Sequence, residues 1–178
     1  MHKRQKLLHF LALGTIGLLL VSLVGVAGLA WLYRDKPNYS RIEDGLYMGG
    51  NVANPPPGTR AVLNLCETED PYRAEVHLWK GIRDSAPAPS IDWLREVVEF
   101  VDARRQEGRT TYVHCQNGVS RSGMVVTAYL MHRHGWSRDE ALAFVRSKRP
   151  GVRPHQAFME RLAEWEQVLK AKAGDGKK

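Results

Sequence analysis

A junction between a predicted strand and a predicted helix, at residues 111–123, constrains this chain more than any other stretch. The letters "TYV" before His114 and Cys115 are β-branched or aromatic, which is typical of a strand. A helix is predicted from Ser122 to just before Gly135, a helix-ending glycine. Backbone N–H groups and the positive end of the helix dipole meet in such a loop, so the sequence predicts an oxyanion site there.

The loop "QNGVSR" carries the groups that such a site needs. Gly118 lets the backbone curl tightly, and Arg121 supplies a guanidinium fork that matches phosphate oxygens. A helix N-terminus and a guanidinium lower the pKa of a thiol, so Cys115 is predicted to be a thiolate nucleophile. Ser122 is placed to donate a hydrogen bond to that sulfur, and His114 to order the loop from behind. The alternative is that Cys115 is a small buried hydrophobic residue at the end of a strand.

The chain after residue 40 reads as short strands alternating with helices. The segments "GLYMGG", "AVLNL" and "EVHLWKGI" are predicted strands, separated by turn-rich stretches. Helices are predicted over residues 91–106, 122–134, 137–147 and 154–170, the first capped by Ser90 and the third by the capping box "SRDE". This order predicts an α/β fold with a central, mostly parallel sheet flanked by helices.

The segment 7–33 contains no Asp, Glu, Lys or Arg. It exceeds the roughly 20 apolar residues that cross a bilayer, and Trp31 and Tyr33 lie where interfacial aromatic residues are found. We therefore expect one transmembrane helix before the α/β domain. A cleaved signal peptide is the main alternative, because Gly28 and Ala30 are small residues at a plausible cleavage spacing. A buried core helix is the third alternative.

The predicted organisation has five parts: a basic flank (1–6), the anchor (7–33), a linker (34–40), one domain (41–170) and a disordered basic tail (171–178). This predicts a single-pass membrane protein. Basic residues are nearly balanced between the two sides of the anchor. The absence of acidic residues before the anchor favours an amino terminus in the cytoplasm and a domain outside it.

The formal net charge of +7 favours anionic partners such as phosphates or an acidic lipid surface. Aromatic residues are not interleaved with basic ones, so we expect no nucleic-acid partner. Two cysteines do not make a disulfide framework, and no His/Cys/Asp cluster has the spacing of metal ligands. We therefore expect neither a metal nor a cofactor. The oligomeric state is left open by the sequence.

The string "HCQNGVSRSG" resembles the signature loop of the cysteine-dependent protein tyrosine phosphatase superfamily, and its "SRS" ending resembles the dual-specificity branch. The similarity extends over about residues 40–167. In it, "RIEDGLYMGG" resembles the first strand of the family, "AVLNLC" the next strand, and "KRPGVRPHQAFMERL" the last loop and helix. His155 departs from the pattern, because the family more usually has an asparagine that anchors the loop at this position.

The resemblance implies roles for residues in and around the loop. A phosphate-binding loop around Cys115 would be formed by Gln116, Asn117, Gly118, Val119, Ser120 and Arg121. A leaving oxygen must be protonated as it departs, and Asp84 in "GIRDSAPAPS" resembles the general acid of the family, with Asp92 or Glu67 as alternative donors. Cys66 resembles a cysteine that forms a disulfide with the nucleophile in several relatives. A buried structural thiol is the alternative for Cys66.

The implied function is hydrolysis of phosphomonoesters on proteins, at phosphotyrosine and phosphoserine/threonine, through a phosphocysteine intermediate. Relatives that act on inositol lipids carry basic residues inside the loop, whereas Gln116, Asn117 and Val119 are neutral. The alternative is a membrane-anchored phosphatase for phosphoinositide or other lipid phosphates, with Arg149 and Arg153 adding charge at the rim of the pocket. A catalytically silent phosphate-binding module is the third hypothesis.

Overall fold

The computed structural model of the protein describes residues 25–26 and 37–175. Apart from residues 25–26, the predicted anchor at 7–33 lies outside the described residues, as does the end of the chain from residue 176. Within the part that is described, no helix combines the length and the apolar character needed to cross a bilayer. The anchor and its orientation therefore stay predictions.

Five strands form one mixed sheet in the order β1-β2-β5-β3-β4. The strands are β1 (Tyr39–Glu43), β2 (Leu46–Gly49), β3 (Ala61–Asn64), β4 (Val76–Trp79) and β5 (Thr111–His114). The β1–β2 pair is antiparallel, and the β2–β5, β5–β3 and β3–β4 pairs are parallel. Strand β5 is thus the central strand, and parallel neighbours on both sides bring the ends of β2, β3 and β5 together at one edge of the sheet.

The segment "RIEDGLYMGG" forms a hairpin, β1 and β2, whereas the sequence was expected to give one strand. A turn at Asp44 and Gly45 separates the two strands, and Gly45 adopts a φ of +68°. An Asp-Gly pair between two segments of alternating apolar and polar residues is a strong hairpin signal, because glycine adopts a positive φ without strain.

Within residues 37–175, four helices follow the predicted order: α1 (Ile91–Gln106), α2 (Arg121–His134), α3 (Arg138–Lys148) and α4 (Gln156–Asp175). The Ser90 hydroxyl caps α1, and the capping box of Ser137 and Glu140 is formed at the start of α3. Helix α4 ends five residues beyond the predicted Lys170, within the segment 171–178 for which the sequence predicted disorder. The residues it adds include Ala171 and Ala173, whose helix propensity is high.

The main core lies between the sheet and the helices. All four helices contribute to it, and so do the strand residues Met48, Leu63 and Val113. On the opposite face of the sheet, Val62 and Tyr112 belong to a smaller hydrophobic cluster. Residues of strands β1 and β2 and of the loops complete it: Tyr39, Tyr47, Val52, Tyr72 and Ala74. The helices that contribute to the core therefore flank the sheet on one face.

Helix α2 is the central helix of the domain. Residues 121–131 of this helix are all buried, and it packs against α1, α3 and α4. A helix enclosed on all sides has no freedom to slide along the sheet, since interiors are close-packed. The N-terminus of α2 is therefore fixed beside the end of β5.

Replacement of Tyr112 by Phe is expected to cost about 1–3 kcal/mol of the free energy of unfolding. The buried Tyr112 hydroxyl donates a hydrogen bond to the Gly50 carbonyl at 2.5 Å, and its loss leaves that carbonyl without its partner. Urea denaturation measures the change. Tyr47→Phe is the matched control, because Tyr47 packs against the same cluster but is only half-buried. An equal loss of stability in the two variants would contradict the assignment.

Candidate active site

Cys115 lies between the end of β5 and the start of α2. Its side chain is buried, with 1% of the residue exposed, and its N–H donates to the Gly49 carbonyl at 3.3 Å. The Ser122 hydroxyl is 3.3 Å from the Cys115 sulfur and 3.5 Å from the same Gly49 carbonyl. The sulfur and the hydroxyl predicted to assist it are thus in contact.

The environment lowers the pKa of the Cys115 thiol. Burial is the largest single influence and by itself raises the pKa. Hydrogen bonds from the Ser122 hydroxyl and from the N–H groups of Ser122, Val119 and Gly118 act in the opposite direction and together outweigh burial. These N–H groups therefore face the sulfur, and they stabilise a thiolate there.

The loop from Cys115 to Arg121 requires glycine at its tightest point. Gly118 has a φ of +67°, and a Cβ atom on it would lie 2.3 Å from the Gly49 carbonyl carbon. The loop packs this closely because its outer edge is bound to the end of β2. Asn51 N–H donates to the Gln116 carbonyl at 3.0 Å, and Gly50 forms a bridge with Asn117.

The second half of the loop is held by the segment that precedes α4. The Arg153 N–H donates to the Val119 carbonyl at 3.0 Å, and the His155 N–H donates to the Ser120 hydroxyl at 2.9 Å. The departure at His155 therefore leaves the loop anchored, because the backbone makes the bond. The His155 side chain instead accepts a hydrogen bond from the Ala157 N–H at its Nδ1, where it caps α4.

The Arg121 guanidinium is buried and held by backbone carbonyls. Its Nη1 donates to the carbonyls of Leu65 and Ile82, at 3.2 and 3.0 Å, which follow β3 and β4. Its Nε is buried and has no hydrogen-bond partner among residues 37–175. A phosphate oxygen would satisfy this donor, since guanidinium groups bind phosphate through such N–H groups.

Asp84 is the best placed of the three candidate proton donors. Its carboxylate is 3.9 Å from the Arg121 Nε and 41% exposed, and it lines a cavity of about 410 Å³ together with Val119 and Ser120. The other two candidates pair with neighbouring cations outside that cavity: Glu67 with Arg83 at 3.6 Å, and Asp92 with Arg95.

His114 points to the face of the sheet opposite the helices. Its Nε2 is 2.9 Å from a buried Asp70 carboxylate oxygen, and its ring stacks on Tyr112. Burial lowers the pKa of His114, and hydrogen bonds to Asp70 and to the Cys115 backbone offset this only in part. A neutral imidazole thus lies directly behind the residue that carries the thiol. Asp70 gave no signal in the sequence, because its partner in this contact lies far along the chain.

Both cysteines are free thiols in the structure. The Cys66 sulfur is 3.8 Å from the His114 Nδ1, and burial, together with the charge of Cys115, raises the pKa of Cys66 to about 11. Cys66 is therefore protonated at neutral pH. Its predicted pairing with Cys115 stays a prediction.

The sequence suggested that Arg149 adds charge at the rim of the pocket, and this stays a prediction. Arg149 is half-buried, and its guanidinium donates to the carbonyls of Gly118 and Asn117 on the outer side of the loop. Arg153 is exposed and lines the cavity that contains Asp84. The sequence missed the contact of Arg149 with the loop because about 30 residues, including all of α2, separate the partners.

Comparison with known proteins decides the family. A family model described as "Dual specificity phosphatase, catalytic domain" matches residues 58–168, which is more than half of the chain. The chain belongs to the dual specificity phosphatase family. It is thus a cysteine-dependent phosphatase of the protein tyrosine phosphatase superfamily.

Named relatives agree with this assignment. Dual specificity protein phosphatase 1 of Arabidopsis thaliana is 33% identical over 157 residues, which cover 83% of this chain and 79% of that protein. Protein phosphatase Slingshot homolog 3 of Rattus norvegicus is 34% identical over 79% of this chain, but the match spans only 23% of that longer protein. The crystal structure of human DUSP28 is 25% identical, with a TM-score of 0.69 and coverage of 76% of this chain and 97% of that one.

Replacement of Ser122 by Ala is expected to raise the pKa of Cys115 by about one to two units, since a hydrogen bond to a charged group contributes about 1.5–3 kcal/mol. The Ser122 hydroxyl stabilises the thiolate, so its loss lets the thiolate form only at higher pH. The pH dependence of Cys115 alkylation by iodoacetamide, followed by peptide mass spectrometry, measures the shift. Ser147→Ala, an exposed hydroxyl on α3, is the control. An unchanged midpoint in Ser122→Ala would show that the hydroxyl does not tune the thiol.

Proposed function

We propose that this dual specificity phosphatase domain hydrolyses phosphotyrosine and phosphoserine/threonine on proteins through a phosphocysteine intermediate. One observation carries the proposal: three backbone N–H groups and a hydroxyl converge on a buried thiol and lower its pKa. Beside the loop, the Asp84 carboxylate is 3.9 Å from the Arg121 Nε, which has no hydrogen-bond partner among residues 37–175. The arrangement supplies a nucleophile, an oxyanion site and an acid within one loop cluster.

In the first step the Cys115 thiolate attacks the phosphorus in line with the bond to the substrate oxygen. The sulfur–phosphorus bond forms while the phosphorus–oxygen bond breaks, and Asp84 gives its proton to the departing oxygen. The Arg121 Nε and the loop N–H groups hold the three equatorial oxygens as charge builds on them. The N–H groups that stabilise the free thiolate thus also bind the phosphoryl group.

In the second step water attacks the phosphocysteine. The Asp84 carboxylate takes a proton from the water, the sulfur–phosphorus bond breaks and inorganic phosphate is released. The Ser122 hydroxyl, 3.3 Å from the sulfur, donates to the leaving thiolate. This step returns Cys115 and Asp84 to their starting protonation states.

Proteins are favoured over lipid phosphates as substrates for two reasons. The loop side chains Gln116, Asn117 and Val119 are neutral, so they add no charge for the further phosphates of an inositol lipid. The Arg149 Nε and Nη2 donate to loop carbonyls, so these donors do not bind a further phosphate. A lipid phosphatase is the alternative, and the predicted anchor is the observation that favours it.

We expect the wild-type protein to hydrolyse an aryl phosphate and phosphopeptides faster than phosphoinositides in vesicles. Cys115→Ser should abolish turnover while the binding of inorganic phosphate persists, because the N–H groups and Arg121 remain. Asp84→Asn should lower kcat about a hundredfold or more, which is the usual contribution of a general acid.

Asp92→Asn is the matched control for the acid, because it removes a carboxylate that pairs with Arg95 outside the cavity. Normal turnover by Cys115→Ser would refute the nucleophile, and equal losses in Asp84→Asn and Asp92→Asn would refute the acid. Faster hydrolysis of phosphoinositides than of phosphopeptides would favour the lipid alternative. Absence of any hydrolysis under reducing conditions would favour a silent phosphate-binding module.

We also propose that residues 7–33 anchor the domain in a membrane, with the amino terminus in the cytoplasm and the domain outside it. The uncharged length of this segment supports the proposal. The distribution of charge is consistent with it: residues 37–175 contain 19 Lys or Arg and 18 Asp or Glu, so most of the basic excess lies in the rest of the chain. Basic residues next to a membrane span bind anionic lipid headgroups.

The full-length protein should stay with membranes after extraction at alkaline pH, whereas a variant lacking residues 7–33 should be released. Protease added to intact cells or spheroplasts should digest the domain if it lies outside the cytoplasm. Digestion only after lysis would contradict this orientation, and release of the full-length protein at alkaline pH would contradict the anchor.

A further inference from the structure

Arg149, at the C-terminal end of α3, binds the outer side of the phosphate-binding loop. Its Nε donates to the Gly118 carbonyl at 2.7 Å, and its Nη2 donates to the Asn117 carbonyl at 3.1 Å. The same Nη2 donates to the Asn38 side-chain oxygen. The Arg149 N–H donates to the Val145 carbonyl at 2.9 Å, which ties the base of this side chain to the helix.

The carbonyls that Arg149 binds belong to the same peptide groups as two N–H groups that face the sulfur. In a planar trans peptide the C=O and the following N–H point in opposite directions. The Asn117 carbonyl shares its peptide group with the Gly118 N–H, and the Gly118 carbonyl shares one with the Val119 N–H. Gly118 and Val119 are two of the three residues whose N–H groups bond to Cys115.

We propose that Arg149 is a positioning residue of the catalytic loop. By holding two carbonyls on the outer side, it fixes the Gly118 and Val119 N–H groups towards the Cys115 sulfur and the phosphoryl oxygens. This inference rests on the proposed phosphatase function, and it assigns to Arg149 an action through the loop without contact with the substrate.

The local geometry requires an arginine for this purpose. Two carbonyls in successive peptide groups need two donors in a fixed fork, which a guanidinium provides and an ammonium does not. The guanidinium also needs a loop residue without a side chain, because a Cβ on Gly118 would lie 2.7 Å from the Arg149 Nη2. Glycine is thus required at position 118 for two reasons: the positive φ of the backbone and the close approach of the Arg149 guanidinium.

A second interpretation is that Arg149 acts through its charge alone. A positive charge near the thiol also lowers the pKa of Cys115, and loss of either action would raise it. Replacement by lysine separates the two interpretations, since lysine keeps the charge but cannot bind both carbonyls in the same way.

The experiment compares Arg149→Met, Arg149→Lys and the control Arg138→Met with the full-length wild-type protein. Arg138 lies at the other end of the same helix, and its guanidinium donates to the Asp139 carboxylate at 2.8 Å instead of to the loop. The readouts are the pH midpoint of Cys115 alkylation, the Kd for inorganic phosphate, the kcat and KM for an aryl phosphate, and the melting temperature.

Both Arg149 variants are expected to raise the alkylation midpoint by about one pH unit, because hydrogen bonds to the thiolate are lost. They should also weaken phosphate binding and lower kcat/KM by about tenfold or more, mainly through kcat, since oxyanion donors act on the transition state. Arg138→Met should leave the midpoint, the Kd and kcat/KM unchanged.

Recovery of the wild-type midpoint and phosphate affinity in Arg149→Lys would overturn the proposal in favour of a charge effect. A wild-type midpoint in a folded Arg149→Met would overturn it as well. If Arg149→Met does not fold, Arg149→Lys decides by the same readouts. The alkylation midpoint does not depend on turnover, so absence of phosphatase activity in the wild type would count against the proposed function and leave this test intact.

Discussion

The active site depends on a few backbone N–H groups that point towards one buried sulfur, that of Cys115. Burial alone would keep the Cys115 thiol neutral, because a charge is costly in a region of low dielectric constant. The N–H groups of Gly118, Val119 and Ser122, with the Ser122 hydroxyl, oppose this effect and lower the pKa of the thiol below its ordinary value. The fold supplies them from two sources, a tightly curved loop and the first turn of a helix.

Each part of the fold fixes one member of this arrangement. Strand β2 binds the loop from one side through the Gly49 carbonyl and the Gly50–Asn117 bridge, and the buried helix α2 fixes the position of Arg121. The Arg121 guanidinium in turn joins the ends of β3 and β4 through two carbonyls, next to the loop that carries Asp84. Hydrogen bonds at the ends of β2, β3 and β4 therefore hold the catalytic loop and Arg121 in place.

Local signals made much of this predictable from the sequence. Three features involve only residues that are close in the sequence, so a single sequence is enough to predict them: the strand–loop–helix junction, the caps at Ser90 and Ser137, and the glycine at 118. The Asp44–Gly45 turn was also a local signal, and the prediction of one strand over this segment missed it. The end of α4 was misplaced because alanines and lysines suit both a helix and a disordered tail.

Contacts between distant residues were beyond prediction from a single sequence. The carboxylate of Asp70 lies 44 residues from His114 in the chain, and Arg149 lies 31 residues from Gly118. His155 shows the opposite case, since a departure from the family pattern suggested a lost anchor. The backbone N–H at that position makes the bond whatever the side chain is, so sequence similarity alone overstated the consequence.

The most direct test of the account is the covalent intermediate. The wild-type protein should be mixed with an aryl phosphate, quenched in acid within the first turnover, digested and examined by mass spectrometry. We predict one phosphate on the peptide that contains Cys115, located on the sulfur. Phosphate on another residue, or full turnover without any phosphorylated peptide, would contradict a thiolate nucleophile at the centre of this loop.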